Sequence, residues 1–197
     1  NMVAGPIDMN NGMFDLRQGH TTRVDESQPV PSTLVSEAAR TLIAFSGVTI
    51  LPDIPEYYRK YPALLNFLSA QKMPWKESRI LAGEIGEYIV MMRETEDAYL
   101  VGAATNESGR TIDLPLSFLE KGKYTVEVIE DGDDAHYLTN RESLKVTTWQ
   151  LTNNDKLALK LAPGGGACLV IKKTPSMRVG EQAAFPLVSP SWKIGRE

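Results

Sequence analysis

Two aspartates, Asp8 and Asp53, follow short apolar runs, Met2-Val3-Ala4-Gly5-Pro6-Ile7 and Val48-Thr49-Ile50-Leu51-Pro52. If those runs are parallel strands, both carboxylates stand at strand C-terminal ends, where (β/α)8 enzymes assemble their active sites. Asn10 and Asn11 come directly after and complete a polar rim. The same residue types also cap helices and close turns, so each aspartate alone fits either role.

A second group of carboxylates is Glu77, Glu84 and Glu87. Two carboxyl groups held roughly 5 to 9.5 Å apart can split a glycosidic bond. Sequence spacing does not set that distance, and Glu84-Ile85-Gly86-Glu87 reads more simply as a turn between strands. His20 and His136 are far apart and lack the neighbours that a metal site or a nucleophilic triad needs, so both read as loop residues, His20 beside the Asp8 rim. Gly164-Gly165-Gly166 has neither the lysine nor the following helix of a phosphate cradle and reads as a hairpin turn. Trp75, Tyr137, Trp149 and Trp192 are aromatics of the kind that stack on sugar rings or fill cores.

The elements that must position these residues change character along the chain. Leu34, Val35, Ala38, Ala39, Leu42 and Ile43 recur at helical spacing behind a Ser32-Thr33 cap, which predicts a helix to about Phe45 whose apolar face packs on a sheet. Val48–Leu51 reads as a second buried strand, Pro55–Tyr58 as a helical turn, and Pro62 as the start of a further helix carrying Leu64, Leu65, Phe67 and Leu68. After Pro74 the period becomes two, with eight candidate strands: Arg79–Ala82, Tyr88–Glu94, Ala98–Ala104, Arg110–Leu114, Tyr124–Glu130, Leu144–Trp149, Lys156–Leu161 and Cys168–Lys172. The fold class is therefore α/β plus all-β: two β/α units over 1–73, an antiparallel β-sandwich over 74–173, and an extension over 174–197. Two β/α units alone leave raw parallel edges, which need either missing barrel segments or a second copy beside them.

Composition excludes several classes. The 197 residues carry a net charge of −4 with no basic stripe, which argues against nucleic acid as partner. The single cysteine, Cys168, rules out an intrachain disulfide or a multi-cysteine zinc site. No apolar run approaches the roughly 20 residues of a membrane span, and the first residues have no signal-peptide pattern.

Four blocks together resemble glycoside hydrolase family 97, the bacterial α-glucosidases and α-galactosidases: Ala4-Gly5-Pro6-Ile7-Asp8; Leu51-Pro52-Asp53-Ile54-Pro55-Glu56-Tyr57-Tyr58; the stretch from Trp75 to Tyr88; and Leu161-Ala162-Pro163-Gly164-Gly165-Gly166. The resemblance implies the C-terminal third of such an enzyme: the last two units of a catalytic (β/α)8 barrel, then the C-terminal β-sandwich. It implies a bacterial periplasmic or secreted hydrolase, an oligosaccharide substrate with α-linked glucose or galactose, and calcium in the parent enzyme. The family's acid catalyst and calcium-binding glutamates precede the Gly5-Pro6-Ile7-Asp8 block, so no catalytic residue and no metal ligand is carried over. Asp8, Asn10 and Asn11 are carried over as substrate-binding rim residues, although Met9-Asn10-Asn11 departs from the family's common tyrosine-containing version. The competing reading is a noncatalytic sandwich module that stabilises the enzyme or binds carbohydrate.

Overall fold

The computed structural model describes residues 9–15, 30–46 and 49–174. The expected strand Met2–Ile7, the rim residue Asp8, His20, Trp192 and the extension beyond Thr174 lie outside the described residues. The elements run β1 (Met9–Asn10), α1 (Leu34–Ile43), β2 (Thr49–Ile50), α2 (Pro55–Arg59), α3 (Pro62–Ser69), β3 (Glu77–Glu84), β4 (Tyr88–Glu94), β5 (Tyr99–Thr105), β6 (Arg110–Pro115), β7 (Lys123–Asp131), β8 (Leu144–Thr152), β9 (Lys156–Leu161) and β10 (Gly166–Lys173).

Each of the eight runs read from alternation forms one of the strands β3 to β10, and every pairing among them is antiparallel. They divide unequally into a six-stranded sheet, ordered β3-β4-β5-β10-β7-β8, and the pair β6-β9. Alternation assigns the faces. Val90, Met92, Val101, Val126 and Leu169 look toward β6-β9, whereas Met91, Leu100, Ile129, Cys168 and Val170 look the other way. Central β10 is apolar from Ala167 to Ile171 without a break, because both of its faces are buried.

The cover on the second face is α1 with α3, whose Leu34, Val35, Leu42, Leu64 and Phe67 share one apolar cluster with the sheet. The expected helix thus packs on a sheet, but that sheet is the antiparallel one. Thr33 caps α1 by accepting the Ser36 amide at 3.2 Å, an interaction worth about 1 kcal/mol.

Helix and sheet meet backbone to backbone. A Cβ added at Gly102 would lie 2.8 Å from the Ala39 carbonyl oxygen, and one at Gly166 would lie 2.6 Å from the Ala103 carbonyl oxygen and 2.8 Å from Ser36 Cα.

Two expectations are corrected. β1 and β2 do pair in parallel, through Met9↔Thr49 and Asn10↔Ile50, but the second strand is not buried: Ile50 is 59% exposed, since no further strand lies against it among the described residues. The Gly164-Gly165-Gly166 turn is not a hairpin, because it joins β9 in one sheet to β10 in the other. At that corner Asp131 is buried and accepts the amides of Ala162 at 3.0 Å and Gly166 at 2.7 Å. A side chain at Gly165 would collide with the same carboxylate. Burial pushes the Asp131 carboxyl up to about 6, against the opposing pull of the Thr33 hydroxyl and the two amides.

Gly102→Ala should cost roughly 2 to 4 kcal/mol, because the obstacle is backbone and cannot rotate away; urea denaturation measures it, and a loss below the scatter of surface alanines would show that α1 can slide. A second expectation concerns pH. Asp131 binds its proton more readily folded than unfolded, so its contribution is complete below the ordinary 3.8 and lost as the pH rises through about 6. Asp131→Asn keeps an oxygen for the amides. Wild type should therefore lose up to roughly 3 kcal/mol relative to this variant from about pH 3.5 to about pH 7.5. A stability difference that stays flat across that range would contradict the assignment.

Candidate functional site

Because β1 and β2 run parallel, the segments that leave them emerge on the same side and lie next to each other. Asp53, just past β2, turns its carboxylate onto the other segment: Oδ2 accepts the amides of Phe14 at 2.6 Å and Asp15 at 2.7 Å. Tyr58 of α2 completes the join, its hydroxyl donating to the Gly12 carbonyl at 3.0 Å and accepting from the Asp53 amide at 3.1 Å. Phe14 packs against the Tyr58 ring with centroids 4.9 Å apart and edge-on to Tyr61 at 6.0 Å. Burial, with the nearby Asp53 charge adding to it, pushes the Tyr58 phenol up to about 12. It therefore stays protonated and keeps its donor at neutral pH.

Of the rim read from sequence, Asn10 is exposed and Asn11 half-buried, immediately before this join. Asp53 neither caps α2, whose N-cap is Ile54, nor closes a local turn; its carboxylate bridges two chain segments. Tyr58 was missed as a site residue; its signal was a polar-tipped aromatic one and a half helical turns after a strand-end aspartate.

The remaining candidates are occupied structurally. Glu87 pairs with Arg110 at 2.9 Å, and that guanidinium also lies 4.8 Å above the Tyr88 ring. Glu77 pairs with Arg79 on the same strand. The Glu87 amide donates to the Glu84 carbonyl at 3.0 Å with Gly86 at φ +81°, which is the expected turn. His136 stacks on Tyr137 and accepts the Leu138 amide at 3.1 Å in the loop after β7. Trp149 is half exposed on the edge strand β8. A shallow cavity of about 450 Å³ lies by Arg110, Asp133, Lys160 and Pro163, but Asp133 and Lys160 are engaged with each other at 2.7 Å. Among the described residues no three His, Cys, Asp or Glu side chains converge as metal ligands.

Trp75 is used for anchoring. The Arg93 guanidinium lies 4.5 Å above its ring and 5.7 Å from that of Phe45. From β4, Arg93 donates to the last carbonyls of α1, Leu42 at 3.3 Å and Ile43 at 3.1 Å. Burial lowers its pKa from the ordinary arginine value.

Comparison with known proteins places this arrangement. The family profile described as "Glycosyl-hydrolase 97 C-terminal, oligomerisation" matches residues 74–172. The chain belongs to glycoside hydrolase family 97. A retaining alpha-galactosidase of Bacteroides thetaiotaomicron is 32% identical over 171 residues, which are 86% of this chain and 26% of that protein. A probable retaining alpha-galactosidase of Streptomyces bingchenggensis is 27% identical over 67% of this chain and 19% of its own length. The structure of a family 97 enzyme from Pseudoalteromonas sp. strain K8, in complex with acarbose, superposes with a TM-score of 0.80 at 30% identity, covering 88% of this chain and 27% of that one. The chain thus spans about a quarter of the length of two of these relatives. Among its described residues no helix is long and apolar enough to cross a membrane.

Arg93→Ala should cost roughly 3 kcal/mol, since it strips α1's last carbonyls of their donors and opens a hole beneath Trp75. Arg93→Lys should recover only part, lacking the planar fork that bonds and stacks together. Urea denaturation of the three proteins tests this, and a lysine variant as stable as wild type would count against the stacking contribution.

Proposed function

We propose that this chain is the C-terminal part of a family 97 α-glycosidase acting on α-linked glucosides or galactosides, whose main catalytic carboxylates lie upstream of residue 1. The observation that carries the reading is the span of the similarity: it runs through the helices as well as the sheet, 86% of this chain, yet takes only 26% of the retaining alpha-galactosidase. The exposed Ile50, Leu51 and Ile54 beside β2 support it, being the apolar surface that further parallel strands of a (β/α)8 barrel would cover. In this reading α1, α2 and α3 close the barrel, and Asp8, Asn10 and Asn11 stand at its substrate rim. Calcium, held by carboxylates outside the described residues, would polarise the reacting sugar. A bacterial periplasmic or secreted location goes with that assignment.

A second role is favoured by the word oligomerisation in the description of the matching profile. The sandwich would then serve as a noncatalytic module that stabilises the enzyme and brings copies together.

The purified chain should not hydrolyse nitrophenyl α-glucoside or α-galactoside, while the longer protein that carries it should hydrolyse at least one. Robust turnover by the chain alone, abolished by a substitution within it, would refute the upstream placement of the carboxylates.

A further inference from the structure

We propose that Asp53 and Tyr58 are positioning residues of the substrate rim, gripping the backbone of residues 12–15 and so setting where Asn10 and Asn11 stand. This rests on the glycosidase reading above. The described pairs of β1 with β2 are Met9↔Thr49 and Asn10↔Ile50, and residues 12–15 lie beyond them. There the grip joins the two segments. Two adjacent amides point at one carboxylate oxygen, which fixes both distance and direction, and charge-assisted bonds of this kind are the strong ones. The tyrosine hydroxyl is threaded between the two segments, donating to one and accepting from the other.

The entry to the grip is equally constrained. Gly12 has φ +86°, and a Cβ there would lie 3.0 Å from Thr41 Cγ2 of α1 and 3.2 Å from Leu51 Cδ2. The segment therefore passes through a backbone conformation suited to glycine, between the helix and the end of β2. Neither Asp53 nor Tyr58 need touch substrate. Their effect comes through the placement of Asn10 and Asn11, where a shift of about 1 Å can cost up to roughly a hundredfold.

The test uses the longer protein with nitrophenyl α-glucoside and α-galactoside, comparing Tyr58→Phe, Asp53→Ala and the double variant N10A/N11A. Tyr58→Phe and Asp53→Ala should each raise KM about tenfold with kcat held within about twofold, the signature of lost ground-state binding. A role in folding alone would lower the active fraction, reducing kcat and leaving KM in place. In the N10A/N11A background Tyr58→Phe should add less than about twofold, because the side chains it positions are gone. Unchanged KM in Tyr58→Phe, or the same KM increase with and without the asparagines, overturns the proposal.

If the wild-type protein turns over neither glycoside, the glycosidase reading fails and the substrate role falls with it. The grip is then read separately in this chain: Asp53→Ala should speed hydrogen exchange at the Phe14 and Asp15 amides about tenfold while Val126 in β7 is unchanged. Equal exchange at Phe14 and Asp15 in variant and wild type would show that no grip exists.

Discussion

Helix α1 can lie where it does only because Gly102 and Gly166 leave no side chain between it and the sheet. Helices commonly stand off a sheet by the thickness of interleaved side chains. Here the Ala39 carbonyl and the Ser36 backbone occupy the space a Cβ would need. The contact is unforgiving in the sense that close-packed interiors are: backbone meets backbone, and neither can change rotamer. Everything on the helical side refers to this plane. α3 packs against α1, the chain leaves α1 for β2, and Asp53 follows three residues after β2. The polar rim is thus located relative to the antiparallel sheet, although no rim residue belongs to it.

Both ends of that helix are held by ionisable groups from the sheet, and their signs match its dipole. Asp131, at the end of β7, lies by the Thr33 hydroxyl at the N-terminus, while Arg93 of β4 donates to carbonyls at the C-terminus. A helix carries partial positive charge at its start and partial negative charge at its end. Each buried group therefore faces the opposite partial charge without needing the other as partner. The cost is visible in their shifts, since burial raises one pKa and lowers the other toward neutrality. Groups so expensive to bury persist where they fix a geometry, and what they fix is the rotation and axial position of α1.

The eight strands and the cap at Thr33 could be read from the chain because alternation, turn residues and capping are local signals. The division of strands between sheets could not. Nothing adjacent to Arg110 or Lys156 says that β6 leaves its neighbours to pair with β9, since that choice depends on residues far along the chain. The same limit hid the helix's partner: the periodicity of Leu34 to Ile43 says that a face is buried, not against what. Arg93 and Asp131 had a readable sign that was passed over. Arg93 shares a strand face with Ile89 and Met91, and Asp131 with Ile129, so period two already placed both among apolar neighbours. At the rim, Asp53 read more readily as a cap or turn residue than as an active-site one, and its actual role, accepting the amides of Phe14 and Asp15 some 39 positions away, has no local signal in the sequence.

The two halves of the molecule are held by different physics, and the difference suits what each does. The sheet is held by apolar burial on both faces, which is non-directional and large. The rim is held by a few directional bonds to backbone atoms of residues 12–15. Because those bonds end on amides and a carbonyl, they make no demand on the side chains at 9–11. The side chains at 9–11 can therefore change without releasing the grip that follows them. A backbone fixed from outside positions 9–11 would let the chemistry there change while its position relative to α1 and the sheet stays the same, as loops on a rigid scaffold do when they carry function.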